Sequence, residues 1–528
     1  MKKTTSKFHF KMKLLAASFI LSLSAMQGQI WSNMIPLLNN QLNSSAATGA
    51  DGLLYVVGGG AYANPTPRME KFNPINGSAW IAATDMSIPR EGLTFIFGTD
   101  GYLYAIGGTG HLVQFPGRHV ERYSTVTNTW ASMADLPQAC TTAAVGPDNK
   151  LYAIGGSNPN FSMYSFNTPT AAKPKGEWIV KPAPSFSGDI NLALTGLDGN
   201  IYLFSQDGEC VKFDGTQWID LALGVGFGGA VIGPNGKFYV ISGNGGVIYD
   251  PISANTTPIQ NLIFNHTPPM AITTAEGYIF INTGSHSTGS STWRNLEKYG
   301  PLKAPDFAPN CKALWRFNEA NGPTVVDSKG VNTGSVIGSA VHATAGRVGK
   351  SLIFNGTTQY VKVNNSPTIN FGASSMTIEG WIKWVPVNGV GVVPILDKRT
   401  QTGNNFQGYH LFITSAGKLG FQMANGTTYQ NYVSVQNTIL ANQWTHIAVS
   451  VDRTSTSPTV SLYINSVLDK TFTPLQGNIT NTAALNIGRH SLDSSSFKGE
   501  MDEVALYNRS LRWAEIRAIF LAGKEGKQ

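Results

Sequence analysis

Cysteine is nearly missing from this chain: Cys140, Cys210 and Cys311 are the only three in 528 residues. Three thiols allow one internal disulfide at most, which excludes a disulfide-built scaffold. No Cys/His cluster has the spacing of a zinc site. Charge is scarce too, at 13% of residues, and helical periodicity is missing until the C-terminus. Beyond the N-terminal segment no apolar run approaches the ~20 residues of a membrane span. No nucleophile elbow, phosphate loop or paired-carboxylate motif occurs. The glycines at 58–60 and 226–229 fall on strands or β-turns, not ahead of helices. What is present is glycine, 57 residues of it, set among short apolar runs. That texture belongs to an all-β protein with many turns, and the length calls for two or three domains.

Residues 1–28 carry Lys2, Lys3, Lys7, Lys11 and Lys13 followed by an apolar run over 14–26 with small residues near its end. This pattern predicts a secretory signal peptide cleaved between Ser24 and Gln29, and hence a secreted, cell-surface or periplasmic protein. Removing it lowers the formal charge from +7 to about +2, because the segment holds five lysines and no acid. Residues 29–309 then hold 14 basic and 19 acidic side chains, and 310–528 hold 19 and 12. This asymmetry favours docking of the two halves but is too diffuse for a nucleic-acid surface.

The chain keeps returning to one stretch. Leu103-Tyr104-Ala105-Ile106-Gly107-Gly108 has copies at Leu54–Gly59 and Leu151–Gly156, and eroded copies begin at Ile201, Phe238 and Ile279. Each is rich in β-branched and aromatic residues and reads as a buried strand. A turn pair precedes every copy: Asp51-Gly52, Asp100-Gly101, Asp148-Asn149, Asp198-Gly199, Asn235-Gly236 and Glu276-Gly277. Five of the six carry Asp or Asn followed by Gly or Asn, the chemistry that supplies positive φ in a tight hairpin. Trp31, Trp80, Trp130, Trp178 and Trp218 stand 21 to 24 residues ahead of the key aromatic, and Ile259 takes the sixth place. Between them run short strands such as Met69-Glu-Lys-Phe72 and Val120-Glu-Arg-Tyr123. Six units of four strands make a repeat array.

These units resemble kelch repeats. The resemblance implies a β-propeller, which disposes of open sheet edges by closing into a ring. Small residues such as Ala143 and Ala144 suit innermost strands crowding the axis. The last unit runs into Gly300-Pro301 without a Trp strand, and Trp31–Ile35 has no local partners, so the N-terminal strand is expected to complete a sixth blade. Some kelch propellers resemble copper oxidases or sugar mutarotases. A copper radical centre needs converging His, Tyr and Cys ligands, whereas His111, His119, His266 and His286 fall in loops without such spacing. Mutarotase chemistry needs only weak acid and base groups, and no motif excludes it. The long loops 61–68, 109–119 and 285–295, with residues 87–92 beside them, are the expected binding surface. Tyr62, Arg90, His111, Arg118, Phe161 and Trp293 are its candidate ligand contacts.

Three prolines in 301–309 mark a semi-rigid spacer and domain boundary. From 312 onward the texture changes. Leu314-Trp-Arg-Phe-Asn-Glu319, Met376-Thr-Ile-Glu-Gly-Trp-Ile382, Trp444-Thr-His-Ile-Ala-Val449 and Phe497-Lys-Gly-Glu-Met-Asp-Glu-Val-Ala-Leu-Tyr507 follow one another in an order that resembles a laminin-G-like domain of the concanavalin A-like lectin/glucanase group. The resemblance implies two antiparallel sheets in a jelly-roll sandwich. Asn465-Ser466 replaces the family's usual Asn-Gly, implying a less sharp turn. Arg512 stands where the family tends to place a Ser cap ahead of the helical segment 513–521, so that first turn is expected to fray. The Glu-x-Asp-x-x-Glu signature of related glucanases is missing, since Glu500-Met-Asp502-Glu503 lacks the spacing, which argues against a hydrolase. Asp327, Asn332 and Asp502 resemble positions where such domains hold a structural calcium. Glu379, Trp381 and Lys383 share one face of a strand. Trp381 reads as core, and Trp384, on the other face, is the aromatic expected to stack on sugar.

The expected fold is therefore a six-bladed β-propeller over 29–300, a Pro-rich linker over 301–311 and a jelly-roll sandwich over 312–528. The expected function is non-catalytic recognition of carbohydrate or protein at a cell surface or matrix. The alternative is a mutarotase-like, sugar-modifying propeller targeted by a lectin-like domain, and a third reading is a structural spacer.

Overall fold

A computed structural model describes residues 31–528 apart from 40, 62–63, 111–116, 158–159, 185–188, 206–207, 222–228, 243–244, 260–261, 264–270, 283–295 and 388–390. The N-terminal half forms six antiparallel four-stranded sheets. Each of the six turn pairs joins the innermost strand of a blade to the next, and the second residue of every pair has positive φ: Gly52 +77°, Gly101 +88°, Asn149 +62°, Gly199 +76°, Gly236 +80° and Gly277 +79°. The one non-glycine is Asn, a residue that tolerates this region. The inner strands contact one another all the way round, from Ser45–Thr48 through each blade to Ala271–Ala275 and back. The ring closes as expected: Trp31–Asn33 pairs with Leu296–Tyr299, Trp31 opposite Tyr299, and completes the sixth sheet.

Three side-chain contacts recur from blade to blade. The turn Asp accepts a hydrogen bond from the Tyr four residues on, as in Tyr55–Asp51 at 2.7 Å, Tyr104–Asp100 at 2.7 Å and Tyr202–Asp198 at 2.9 Å. Four of the five Trp indoles donate to a carbonyl of the preceding blade's connection: Trp80 to Ile35, Trp130 to Thr84, Trp178 to Ala134 and Trp218 to Pro182. The Glu of the third strand accepts backbone N–H groups from the segment before its own blade, as Glu70 does from Leu38 and Asn39, Glu121 from Ser87 and Glu297 from Ile263. A buried carboxylate needs such donors, so the repeating Glu is an inter-blade staple.

The C-terminal half is a sandwich of two eight-stranded sheets. The first is built around Met376–Trp384, Lys498–Tyr507 and Trp444–Asp452, and the second around Val392–Thr402, Asn405–Thr414 and Leu419–Asn425. Leu, Ile, Val, Phe and Met from alternate positions of both fill the core between them. The helix α1, Trp513–Ala522, follows the first sheet.

The two halves are docked. The propeller's turn face meets the first sheet and α1: Leu468 N–H donates to Thr99 O at 2.8 Å and Gly277 N–H to Leu521 O at 2.8 Å. Arg517 donates to Thr48 O at 2.6 Å while its guanidinium lies 3.9 Å from the Phe97 ring centre. Arg347 pairs with Glu276 at 2.6 Å. The segment expected as a spacer is part of this joint. Leu302 and Ala304 are buried, and Ala304 exchanges backbone bonds with Gly526 and Gln528. Its prolines shape a strap, not a free linker. The first turn of α1 is also held: Glu515 accepts from the Arg512 N–H at 2.9 Å and pairs with Arg509, and Trp513 donates to Ser466 O at 2.9 Å. Arginine has no acceptor to cap the other way, so packing and Glu515 replace the missing Ser. Asn465 and Ser466 both have positive φ, 51° and 62°, so that turn is tight despite lacking glycine.

Candidate functional site

The outward face of the second sheet, the one turned away from the propeller-bound sheet, carries an unusual set of side chains. Strand register aligns one row across it: Ser335, Lys362, Asn486, Asp397, His410, Gln422 and Asn431 stand opposite one another in turn. The neighbouring row reads Arg399, Gly408, Ala424 and Tyr429. An outward face is ordinarily solvated. Here Asp397 is 0% exposed, Arg399 5%, His410 3% and Gln422 7%.

Burial at that level is tolerable only because the ionic groups are paired. Arg399 grips Asp397 bidentately, Nε to Oδ1 and Nη2 to Oδ2 at 2.8 Å each. It also donates to Gln422 Oε1 at 2.5 Å, and its Nη2 lies 2.6 Å from His490 Nε2. Gln422 passes the chain on to Asn431 Oδ1 at 2.8 Å, and Ser491 N–H closes on Asp397 at 2.9 Å. Burial and the adjacent Arg399 charge hold His410 well below its ordinary pKa, so it is neutral, and its buried Nε2 has no hydrogen-bond partner among the described residues. Phe406 lies 5.6 Å from the Arg399 guanidinium and meets Tyr429 edge-on at 5.4 Å. Gly408 and Ala424, both buried, stand between Arg399 and Tyr429. A Cβ on Gly408 would meet Lys398 O at 2.0 Å, and its φ is +128°.

Asp397, His410 and His490 present ligand atoms within 4.8 Å of one another, a spacing that fits a metal ion. The Arg399 guanidinium already bonds both Asp397 oxygens and faces His490, so the cation among them is the chain's own. The set is a closed, hydrogen-bonded polar cluster with the half-buried Phe406 and the exposed Tyr429 beside it.

The residues anticipated from the sequence lie elsewhere. Arg90 is 2% exposed. It spans to the next blade, donating to Gly107 O and His119 O and pairing with Glu121 at 2.9 Å, so it is a structural cross-link and not a ligand contact. Arg118 is exposed and donates to Leu136 O at 2.6 Å, and Phe161 packs half-buried against the core of blades three and four. Tyr62, His111 and Trp293, like the signal segment 1–28, fall outside the described residues. Trp384 is 5% exposed within the sandwich core and offers no surface to a sugar. Trp381 is buried as expected, stacked on Phe520 of α1 at 5.9 Å. Asp327 is filled by the chain: Leu314, Lys329, Val331 and Asn332 N–H groups and the Asn332 amide all donate to it at 2.9–3.3 Å. Asn332 Oδ1 accepts from Ser366 and Thr368. Asp502, fully buried, accepts the Val348 N–H at 2.7 Å. Cys140, Cys210 and Cys311 are free, buried thiols.

The outward-face set was missed because its members sit on five separated strands or loops. The available signal was a polar residue inside an otherwise apolar strand: His410 between Tyr409 and Leu411, Gln422 between Phe421 and Met423.

Residues 355–517 match the family model described as Concanavalin A-like lectin/glucanases superfamily, and residues 98–137 match the Kelch motif. Among curated proteins the chain is similar to Kelch-like protein 35 of Mus musculus, 48% identical over 58 residues, and to Kelch-like protein 38 of Rattus norvegicus, 40% identical over 58 residues. Each similarity covers 11% of this chain and 10% of the relative, so the chain spans about a tenth of those proteins' length. Among solved structures it is similar to YjhT (15% identity, TM-score 0.40, 49% of this chain and 94% of that one). It is also similar to the binding domain of Paraclostridial Mosquitocidal Protein 1 (19%, TM-score 0.34, 40% and 52%). A third is Domain 4 of AbnA, a GH43 extracellular arabinanase from Geobacillus stearothermophilus, in complex with arabinotriose (19%, TM-score 0.30, 39% and 97%).

Proposed function

We propose that this chain, a kelch propeller joined to a concanavalin A-like sandwich, is a secreted or cell-surface binding protein that recognises carbohydrate with the outward face of its second sandwich sheet. The observation that carries the reading is the Tyr429 ring, 50% exposed on the outward face of that sheet and edge-on to Phe406, beside a hydrogen-bonded polar row. The buried Asp397–Arg399–Gln422 cluster ties together the strands that carry Phe406 and Tyr429, which removes ordering costs from the binding step. Tyr429 offers an aromatic face for the apolar side of a sugar ring. Secretion rests on the lysine-rich, then apolar, segment 1–28. Among the described residues no helix is long and apolar enough to cross a membrane.

The test is a glycan array probed with the full chain, followed by titration of the best hit. Tyr429→Ala and Asn431→Ala, both at exposed positions of that face, should each weaken it about 10- to 100-fold, as loss of one aromatic face or one polar contact does, with little change in melting temperature. No glycan bound by the unaltered chain, or equal binding by both variants, rejects the assignment. Binding only to an extracellular protein would transfer the face to a protein ligand.

A further inference from the structure

The propeller's axis is closed at one end by the other domain. The small residues that let six inner strands approach the axis, Ala46, Ala47, Ala143, Ala144, Ala193 and Ala230, also leave space along it. The ring cannot contract to fill that space, because every inner strand is fixed by its ladder to the next strand and by contacts to both neighbours. At the turn face α1 lies across the opening and presents Trp513, Ala514, Ala518 and Leu521 to it. The result is an axial chamber of about 180 Å³ whose walls include Ala47, Phe97, Ala144, Val145 and Val231. Arg517 borders it, but its guanidinium is engaged by Thr48 O and Ser466 Oγ and stacked on Phe97.

Toward the loop face the chamber continues into a second compartment of about 340 Å³, with Ala46, Phe95, Ala143 and Ala193 common to both. Its lining adds Asn43, Ser44, Thr141, Thr142 and Asn191 to apolar groups such as Leu93 and Leu192. Amide groups therefore occur only toward the loops, while the α1 end is mainly hydrocarbon with the threonines Thr48, Thr195, Thr273 and Thr274 among it. A small chamber with hydrocarbon walls holds water poorly and receives apolar groups of matching size.

We propose that this axial chamber binds a small amphiphile, with its alkyl or aryl end directed at α1 and its polar end among Asn43, Thr141 and Asn191. The site is separate from the sandwich face and does not depend on the carbohydrate assignment there. Because the floor belongs to the sandwich and the walls to the propeller, the pocket exists only while the two halves are docked.

The measurement uses the full chain and a series of n-alkyl β-D-glucosides from methyl to octyl, below their micellar concentrations, titrated by calorimetry. Each added methylene should tighten binding about fourfold, up to the length at which the chain meets α1, and then the gain should stop. Ala144→Phe fills the chamber from the propeller wall and Ala518→Phe from the floor, and either should abolish the dependence on chain length while the methyl glucoside is unaffected. A flat series in the unaltered chain overturns the proposal. So does chain-length dependence that survives in a folded variant, which would mean adsorption elsewhere. If one variant fails to fold, the other and the unaltered series still decide.

Discussion

Asp502→Asn offers the sharpest check on the packing of the sandwich, because a single carboxyl there carries a large electrostatic penalty. Asp502 is fully buried on the strand Lys498–Tyr507, one oxygen accepts the Val348 N–H at 2.7 Å, and Oδ1 has no partner among the described residues. Burial, with the Glu503 charge next door, raises its pKa from 3.8 to about 8. The folded chain therefore keeps it protonated at neutral pH, whereas the unfolded chain ionises it. The sign follows from linkage: the folded state is favoured fully below pH about 4, loses ground as pH rises through the interval, and has lost the whole contribution above pH about 8. At pH 7 the span above the unfolded value is roughly three pH units, or about 4 kcal/mol at 1.36 kcal/mol per unit. Asparagine is neutral at every pH and removes that slope. Its new N–H lacks an assured acceptor, which returns about 1–3 kcal/mol, so the net gain at pH 7 is about 1–3 kcal/mol. The assay is urea denaturation of the full chain and the variant at pH 4.5, 6, 7.5 and 9. The gap between the two should widen toward alkaline pH by about 4 kcal/mol. Parallel curves would refute the reasoning, and an unaltered chain that gains stability relative to the variant as pH rises would mean that Asp502 is ionised and holds a cation.

Two further outcomes follow from the same structure. Removing residues 31–37 takes away the outer strand of blade six and the Trp31–Tyr299 contact at 5.0 Å, and should cost about 3–5 kcal/mol. An unchanged melting temperature would mean the ring does not need that strand. Asp327, saturated by five donors, should behave as a turn cap: calcium and chelator should give one melting temperature, while Asp327→Ala loses about 3 kcal/mol. A calcium-dependent rise abolished by Asp327→Ala would restore a cation there.

The propeller was legible because its information is local. Asp-Gly pairs dictate positive φ within two residues, and the Trp-to-Tyr spacing repeats the strand count directly. Even the split blade followed from counting, since a Trp strand was missing at one end and spare at the other. Arg90 was misread for the opposite reason: a lone cation in a loop looks solvated until the ring brings Glu121 of the next blade to 2.9 Å. Ser466 shows how one residue is shaped by distant partners. A glycine would relieve its positive φ, but its hydroxyl accepts from Arg517 and its carbonyl from Trp513, contacts that join the turn to α1 and through it to the propeller. The outward-face row was hidden in the same way. Asp397 and Arg399 alternate like any solvated strand positions, and only register with His410 and Gln422 and the arrival of the His490 loop bury them.

The docking mode decides which surfaces remain for ligands. The six tight turns give the propeller a flat face of short loops, and that face is spent on the first sandwich sheet and α1. The second sheet lies on the far side of the sandwich core from this joint, so its polar row points away from the propeller. The loop face of the propeller points the other way, with the polar compartment of the axis opening toward it. On the two proposals, ligands at these places would not compete for space, and the effective concentration of one at the other would be set by a joint of buried strap and paired charges, Arg347 with Glu276 among them, instead of by a flexible tether.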